Sequence, residues 1–292
     1  MPELPEVETI SSQLDSVLRG KIFSKVEVLR DKSAQTDLSL LVGRKIKKVR
    51  RLAKQIKIDL KNVDETLLIH LKMTGQLVYQ KSKTDDLGFE NRVVGGHPTR
   101  DWINKLPSSH TRIVAKFEDG SSLFFNDQRV FGWWKLVSKK NLEAIKSKLP
   151  PDVIDKEFDV DYLKNVLSRS KRAVKLVILD QQKMGGMGNI YTNDSLWLAK
   201  INPKKPANKL KDKEIIELHK QMVRVLKEGI SLGGASISDY VHVSGGGGGG
   251  YQEIMRVYER EGKSCSRRKC DGVIKKEKLG GRGTYYCNKC QI

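Results

Sequence analysis

The chain opens Met-Pro-Glu-Leu-Pro-Glu-Val-Glu-Thr, which puts a latent nucleophile beside two acids. Removing Met1 leaves Pro2 with a free secondary amine. An α-amino group titrates at about 7.7–8.0, roughly two units below lysine, so such an amine is nucleophilic near neutral pH. Glu3 and Glu6 follow at once, and an amine beside carboxylates is what attack on a sugar carbon requires. The competing reading is local: proline is favoured in the first turn of a helix, and a Pro-Glu segment opens one. On these residues alone the helix-opening reading is the simpler. A second chemical cluster lies at the other end. Cys265, Cys270, Cys287 and Cys290 are the only cysteines, spaced C-x4-C, sixteen residues, then C-x2-C. Two close pairs of thiolates across a hairpin meet at one tetrahedral zinc ion. Two disulfides are the alternative, and a reducing compartment disfavours them. Four sulfur ligands leave no position for water, so the zinc is expected to be structural.

The composition says what these groups work on. Lys and Arg number 55 against 35 Asp and Glu, a formal charge of +20, which calls for a polyanionic partner, nucleic acid before an acidic membrane surface. No apolar run reaches the ~18 residues of a membrane-spanning helix, and no signal-peptide pattern opens the chain. A soluble protein inside the cell is expected, in the cytoplasm.

Helical spacing of Val7, Ile10, Leu14, Val17 and Leu18 predicts a first helix that begins within three residues of Pro2 and stops at Gly20. Strand signals then dominate to about residue 137. They include 22–30, 56–60, 66–73, the alternating 111–117, the Asp119-Gly120 turn and the returning 122–125. Residues 81–109 are polar and irregular and read as an insertion. From about 151 the period turns helical, over 160–169, 172–180, 194–199 and 211–230. A glycine run, Gly245 to Gly250, precedes the cysteines, and two short strands about Gly280-Gly281 complete a hairpin with Arg282 near its tip. The expected class is α+β. A β-sandwich with its first helix covers 2–137 and a linker with helical DNA-binding domain 138–243. A Gly-rich connection covers 244–256 and a zinc hairpin 257–292.

Several motifs together resemble one family. MPELPEVET opens the chain, HLKMTG stands at 70–75, DQRVFG at 127–132, GGMGNIY at 185–191, and GGRGTYYC lies within the four-cysteine tail. In this order and spacing they resemble the formamidopyrimidine-DNA glycosylases, relatives of the endonuclease VIII group. PELPE, in place of PEGPE, favours the purine-lesion branch. The resemblance implies a monomeric, bifunctional glycosylase and AP lyase of base excision repair. It would excise 8-oxoguanine and formamidopyrimidines from double-stranded DNA, and act on abasic sites. It also implies a helix–two-turn–helix element over about 160–232, one structural zinc, and no membrane partner.

Carried over by motif position, Pro2 is the Schiff-base nucleophile and Glu3 the general acid/base, with Glu6 a second carboxylate at the site or a support for the amino terminus. Lys54, in Arg51-Leu52-Ala53-Lys54, and Arg282 belong to the catalytic set and hold phosphates. His70 and Asn189 are further phosphate donors. Met73, Arg129 and Phe131 fill the gap left by an extruded base; Arg129 and Phe131, two apart, would point the same way on extended chain. Two departures stand out. Asp194 replaces a usual glutamate, and Gly245–Gly250 occupies the loop that closes over the base. Three rivals remain: an endonuclease VIII-like enzyme for oxidised pyrimidines, a non-catalytic zinc-dependent DNA-binding protein, and an RNA-binding zinc protein.

Overall fold

A computed structural model describes residues 2–81, 92–96, 105–235 and 249–292. The chain divides into two compact units: residues 1–148 with 232–250, and residues 149–231 with 251–292. The sequence had suggested a first boundary at 137/138 and a contiguous second domain. The first unit instead runs on through a helix at Lys139–Lys146 and reclaims 232–250. Most of the glycine run and of the 81–109 segment lies outside the described residues.

In the first unit, helix α1 (Leu4–Leu18) precedes two antiparallel sheets. The five-stranded sheet is ordered β1 (Phe23–Val28), β7 (Thr111–Phe117), β8 (Ser122–Asp127), β5 (Gly75–Gln80), β6 (Arg92–Gly96). The four-stranded sheet is ordered β2 (Ile46–Leu52), β3 (Gln55–Leu60), β4 (Glu65–His70), β9 (Trp133–Ser138). One core joins all three parts: Val7, Ile10, Leu14 and Leu18 of α1 share it with Phe23, Ile113 and Phe125 of one sheet and Ile58, Leu67 and Trp134 of the other. Asp15 pins the helix to the edge strand, accepting from Val49 N at 2.7 Å. Helix α2 (Lys139–Lys146) caps the outer face of the four-stranded sheet through Leu142.

Four strands, β2, β5, β6 and β9, were not singled out in the sequence, and two of them were hidden for a physical reason. β2 lies inside the basic run 44–57. A bulge between Ile46 and Lys48 breaks its two-residue period, so buried Ile46 and Val49 do not alternate with the exposed cations. β6 lies in the segment read as an irregular insertion and pairs with β5. Gly96 makes that pairing possible: a Cβ there would stand 2.2 Å from Gly75 O.

The second unit carries α3 (Val160–Ser168), α4 (Val174–Ile178), α5 (Asn189–Leu198), α6 (Asp212–Ser231) and a hairpin, β10 (Ile274–Leu279) with β11 (Arg282–Cys287). Helix α5 begins five residues before the expected 194, directly after Gly188. Leu279 pairs with Arg282, leaving a two-residue turn with Gly280 at φ 56° and Gly281 at φ 79°. Two positive φ values in succession match the twist of a tight hairpin and favour glycine at both positions. No helix among the described residues is long and apolar enough to cross a membrane.

Asp194 organises the approach to the hairpin. Fully buried in α5, it accepts from the backbone N–H groups of Arg256 and Val257 and from the Tyr251 hydroxyl at 3.1–3.2 Å. Burial pushes its pKa up against the pull of those donors. The shorter aspartate therefore still reaches its partners, at the long end of hydrogen-bond range. Asp194→Ala leaves these donors without an acceptor and is expected to cost about 3 kcal/mol or more, read as a lowered denaturation midpoint with an unchanged slope.

Candidate functional site

The amino terminus is built first, because only Glu3 separates the candidate nucleophile from α1. Glu3 is the helix N-cap and Pro5 stands in the first turn. Glu3 and Glu6 form a reciprocal capping box: the Glu3 side chain takes the backbone N–H of Glu6, and Glu6 Oε2 accepts from Glu3 N at 2.7 Å. The helix-opening reading and the chemical reading are thus compatible, since the two carboxylates that cap the helix are the two that follow Pro2. Both are nearly inaccessible, Glu3 6% and Glu6 5% exposed, while Pro2 is partly exposed. The second oxygen of Glu6, Oε1, accepts from Ala235 N at 2.8 Å.

The turn that carries Lys54 is tied to α1 for a traceable reason. Leu52 pairs with Gln55, so Ala53 and Lys54 form a two-residue turn, with Ala53 held at φ 51°. Arg51 fixes the turn to α1, donating from Nε to Glu8 Oε2 at 2.7 Å and from Nη1 to Ala53 O at 3.0 Å. Lys54 is consequently 9% exposed, not part of the solvated face its neighbours make. His70 ends β4. Its Nδ1 accepts from Lys72 N at 3.0 Å, so in the neutral ring the proton sits on Nε2, a donor suited to a phosphate oxygen. Burial, then the charges of Lys72 and Lys54, pull its pKa down to about 4.

The three candidate wedge residues sit on two loops that one carboxylate ties together. Asp127, fully buried at the end of β8, accepts from Thr74 Oγ1, from Arg129 N at 3.2 Å and from Gly132 N at 2.6 Å. The Leu71–Gly75 turn closes tightly, Gly75 N donating to Leu71 O at 2.8 Å, and carries Met73 outward, 44% exposed. Phe131 is 48% exposed, with the Arg129 guanidinium 4.9 Å from its ring centroid and Lys32 Nζ at 5.6 Å on the same ring. Arg129 and Phe131 meet although the chain between them is not extended: Val130 stands at φ 53°. A β-branched residue seldom adopts that conformation, and the Asp127 bonds on either side impose it. Asp127 escaped the sequence reading. The signal was present, since an aspartate opening a tight loop bonds backbone N–H groups further along.

The second unit holds Asn189 and Arg282. Asn189 is the first residue of α5, and its Nδ2 donates to Gly283 O at 3.0 Å. The same carbonyl accepts from Lys175 Nζ at 2.8 Å, and Lys175 also donates to Thr284 Oγ1 at 2.8 Å. Lys175, wholly buried in the apolar helix Val174–Ile178, was likewise missed; a lysine on such a face needs buried acceptors. Arg282 itself is exposed at the first position of β11, so its backbone is held from behind and its guanidinium is presented to solvent.

The four cysteine Sγ atoms lie within 4.8 Å of one another, with Cys265–Cys290 at 3.8 Å and Cys270–Cys287 at 3.7 Å. A disulfide holds its sulfurs at about 2.05 Å, whereas tetrahedral Zn–S bonds of about 2.3 Å place sulfurs about 3.8 Å apart. The donor set fits one structural zinc. Trp197 Nε1 donates to Cys265 Sγ at 3.4 Å, and Arg267 stacks on the Trp197 ring while donating to Trp197 O, so the zinc site is joined to the far end of α5.

Three family models match in succession. These are the formamidopyrimidine-DNA glycosylase N-terminal domain over 1–134, the formamidopyrimidine-DNA glycosylase H2TH domain over 149–241, and the zinc finger found in FPG and IleRS over 262–292. The chain is 37% identical over 298 residues to the formamidopyrimidine-DNA glycosylase of Pelotomaculum thermopropionicum, covering 100% of this chain and 99% of that protein. A solved complex between Lactococcus lactis Fpg and an abasic site containing DNA superposes with TM-score 0.84 at 30% identity over 99% of each chain. A complex of the wild-type protein from that organism with an oxidized pyrimidine containing DNA gives TM-score 0.83 at 30% identity, again over 99% of each chain.

Two outcomes follow from this geometry. His70 is expected to be the neutral Nε2–H tautomer from pH 6 to 8 and to titrate near 4 in ¹⁵N-edited NMR. Its folded pKa lies below the unfolded value, so the stability it contributes is present above about 6.5 and lost as pH falls toward 4. Elemental analysis is expected to find one zinc per chain, and Cys287→Ser to lower both the bound zinc and the melting temperature.

Proposed function

The chain belongs to the formamidopyrimidine-DNA glycosylase family, and from that premise we propose how its own residues divide the work. It is a DNA glycosylase and AP lyase acting on double-stranded DNA that contains damaged bases or abasic sites. Its preferred lesions are oxidised purines, 8-oxoguanine and formamidopyrimidines, as the PELPE opening suggests. It acts in the cytoplasm, at the nucleoid, where its substrate is.

With Met1 removed, the Pro2 nitrogen attacks C1′ of the damaged nucleotide. The bond from C1′ to the base breaks, its electron pair leaving on the base, which takes up a proton. Glu3 protonates the ring oxygen as the sugar opens, and the nitrogen, having lost its own proton, forms an iminium with C1′. The iminium draws electrons from the adjacent carbon. Loss of a C2′ proton expels the 3′ phosphate, and a second proton loss expels the 5′ phosphate. Lys54, His70, Asn189 and Arg282 hold these phosphates. Charge on Lys54 and Arg282 stabilises them as they leave, and His70 contributes a neutral donor. Met73, Arg129 and Phe131 occupy the space of the extruded base, Arg129 bonding the orphaned partner. Zinc serves only to hold the hairpin.

The single observation that carries this reading is the placement of Pro2 directly before a capped, buried helix start that also holds Glu3. An oxidised-pyrimidine preference is the second reading, favoured by the L. lactis complex with such a lesion. Borohydride trapping on an 8-oxoguanine:cytosine duplex tests the mechanism. The wild-type chain, with Pro2 free by mass spectrometry, is expected to cross-link through its first residue. Pro2→Gly is expected to trap at least tenfold more slowly while binding the same duplex nearly as well. Full trapping by the Pro2 variant and none by a Lys54 variant would overturn the assignment. Faster release from a thymine-glycol duplex would shift the specificity to pyrimidines.

A further inference from the structure

Glu6 joins its own helix start to a backbone segment 229 residues further along the chain. One carboxylate oxygen takes the Glu3 N–H at 2.7 Å and the other the Ala235 N–H at 2.8 Å. Both distances are those of charge-assisted bonds, and an anion is favoured at a helix N-terminus. The far segment is a close crossing of two backbones. Ala235 forms a β-bridge with Gly250, and Gly250 N donates to Leu232 O at 2.7 Å. A Cβ on Gly249 would stand 2.0 Å from Gly234 O. Gly234, at φ +90°, faces Glu6 so closely that a Cβ there would lie 2.9 Å from both Glu6 Cγ and Oε1. The carboxylate therefore sits between the helix cap and a glycine wall that admits no side chain.

We propose that Glu6 is a positioning residue that fixes the Pro2 nitrogen relative to the 232–235 and 249–250 crossing. The inference rests on the nucleophilic role of Pro2 given above. Its physical basis is short. Glu3 N is the nitrogen of the Pro2–Glu3 peptide, and that peptide is planar. Holding its N–H on Glu6 fixes the plane, so rotation about the Pro2 Cα–C bond is the main freedom left to the attacking nitrogen. A misplacement of about 1 Å at a reacting atom costs on the order of 100-fold in rate. Glu6 acts on the reaction through Pro2, and its own oxygens are already taken up by backbone donors.

Glu6→Gln keeps the volume but turns an NH₂ toward one of two N–H donors, so one link must break. Gly234→Ala disturbs the same carboxylate from the opposite side without altering charge. The readout is the single-turnover borohydride-trapping rate on an abasic duplex, with the duplex Kd measured alongside. Wild-type chain must trap first; if it does not, the reading of Pro2 fails and not this inference. Given trapping, Glu6→Gln is expected to slow it by about 100-fold with Kd changed less than threefold and the pH midpoint of the rate unmoved. Gly234→Ala is expected to slow it in the same sense, and the double variant to be no slower than the worse single one, as coupled sites require. A wild-type rate in folded Glu6→Gln overturns the proposal. So does loss of one limb of the pH profile in that variant, which would make Glu6 a proton-transfer group. If Glu6→Gln fails to fold, a wild-type rate in Gly234→Ala overturns it instead.

Discussion

Burying Leu4, Val7, Ile10, Leu14 and Leu18 in a core shared with both sheets fixes the axis of α1 and its rotation about that axis. Each such side chain removes roughly 1.5–3 kcal/mol of apolar surface cost on burial, so the helix has little freedom to slide or turn. The candidate nucleophile precedes the helix by a single residue, and its location is inherited from that packing. Polar bonds refine the result. Asp15 holds the far half of α1 to β2, Glu8 and Arg51 hold the near half to the Lys54 turn, and the Glu3–Glu6 box closes the first turn. A flexible amino terminus would instead spread the amine over many positions, which is the usual state of a chain end.

The same device recurs where loops must be stiff. Buried or half-buried ionic and amide groups are aimed at main-chain atoms of the loops they support: Asp127 under the Met73 and Phe131 loops, Lys175 and Asn189 under the Arg282 turn, Asp194 under the entry to the zinc hairpin. Each would be costly if left unpaired, and each has at least one main-chain partner. The exposed groups that face solvent are thereby carried on rigid supports, although several belong to loops.

Much of this was legible in the sequence where a local rule was strong. The stripe in α1, the alternation of Thr111–Phe117 and the paired glycines of the hairpin were read with nearly correct ends. The motifs that resemble the glycosylase family pointed to that family before any fold was known, and full-length relatives support it. What escaped was non-local. The bulge in β2 hid its period, and β6 is a strand only because β5 lies beside it. Asp127 and Lys175 look ordinary until their partners, in other elements, are in place. Arg129 and Phe131 illustrate a further gap. Simple strand geometry predicted their proximity, but the contact comes through a left-handed Val130.

Helix α5 is gripped at both ends by the metal module, Asn189 reaching the Gly283 carbonyl and Trp197 reaching the Cys265 sulfur. At the first end the acceptor is a peptide oxygen, which every amino acid possesses. A Cβ at 283 would meet nothing nearer than 3.4 Å. The alignment of helix and hairpin there is consequently insensitive to the side chain at 283, so substitution at that position can proceed without unseating the arginine beside it, whereas Gly280 and Gly281 at the turn stay tied to glycine by their positive φ. The grip at the other end has less latitude, because a side-chain sulfur supplies it, not a peptide oxygen.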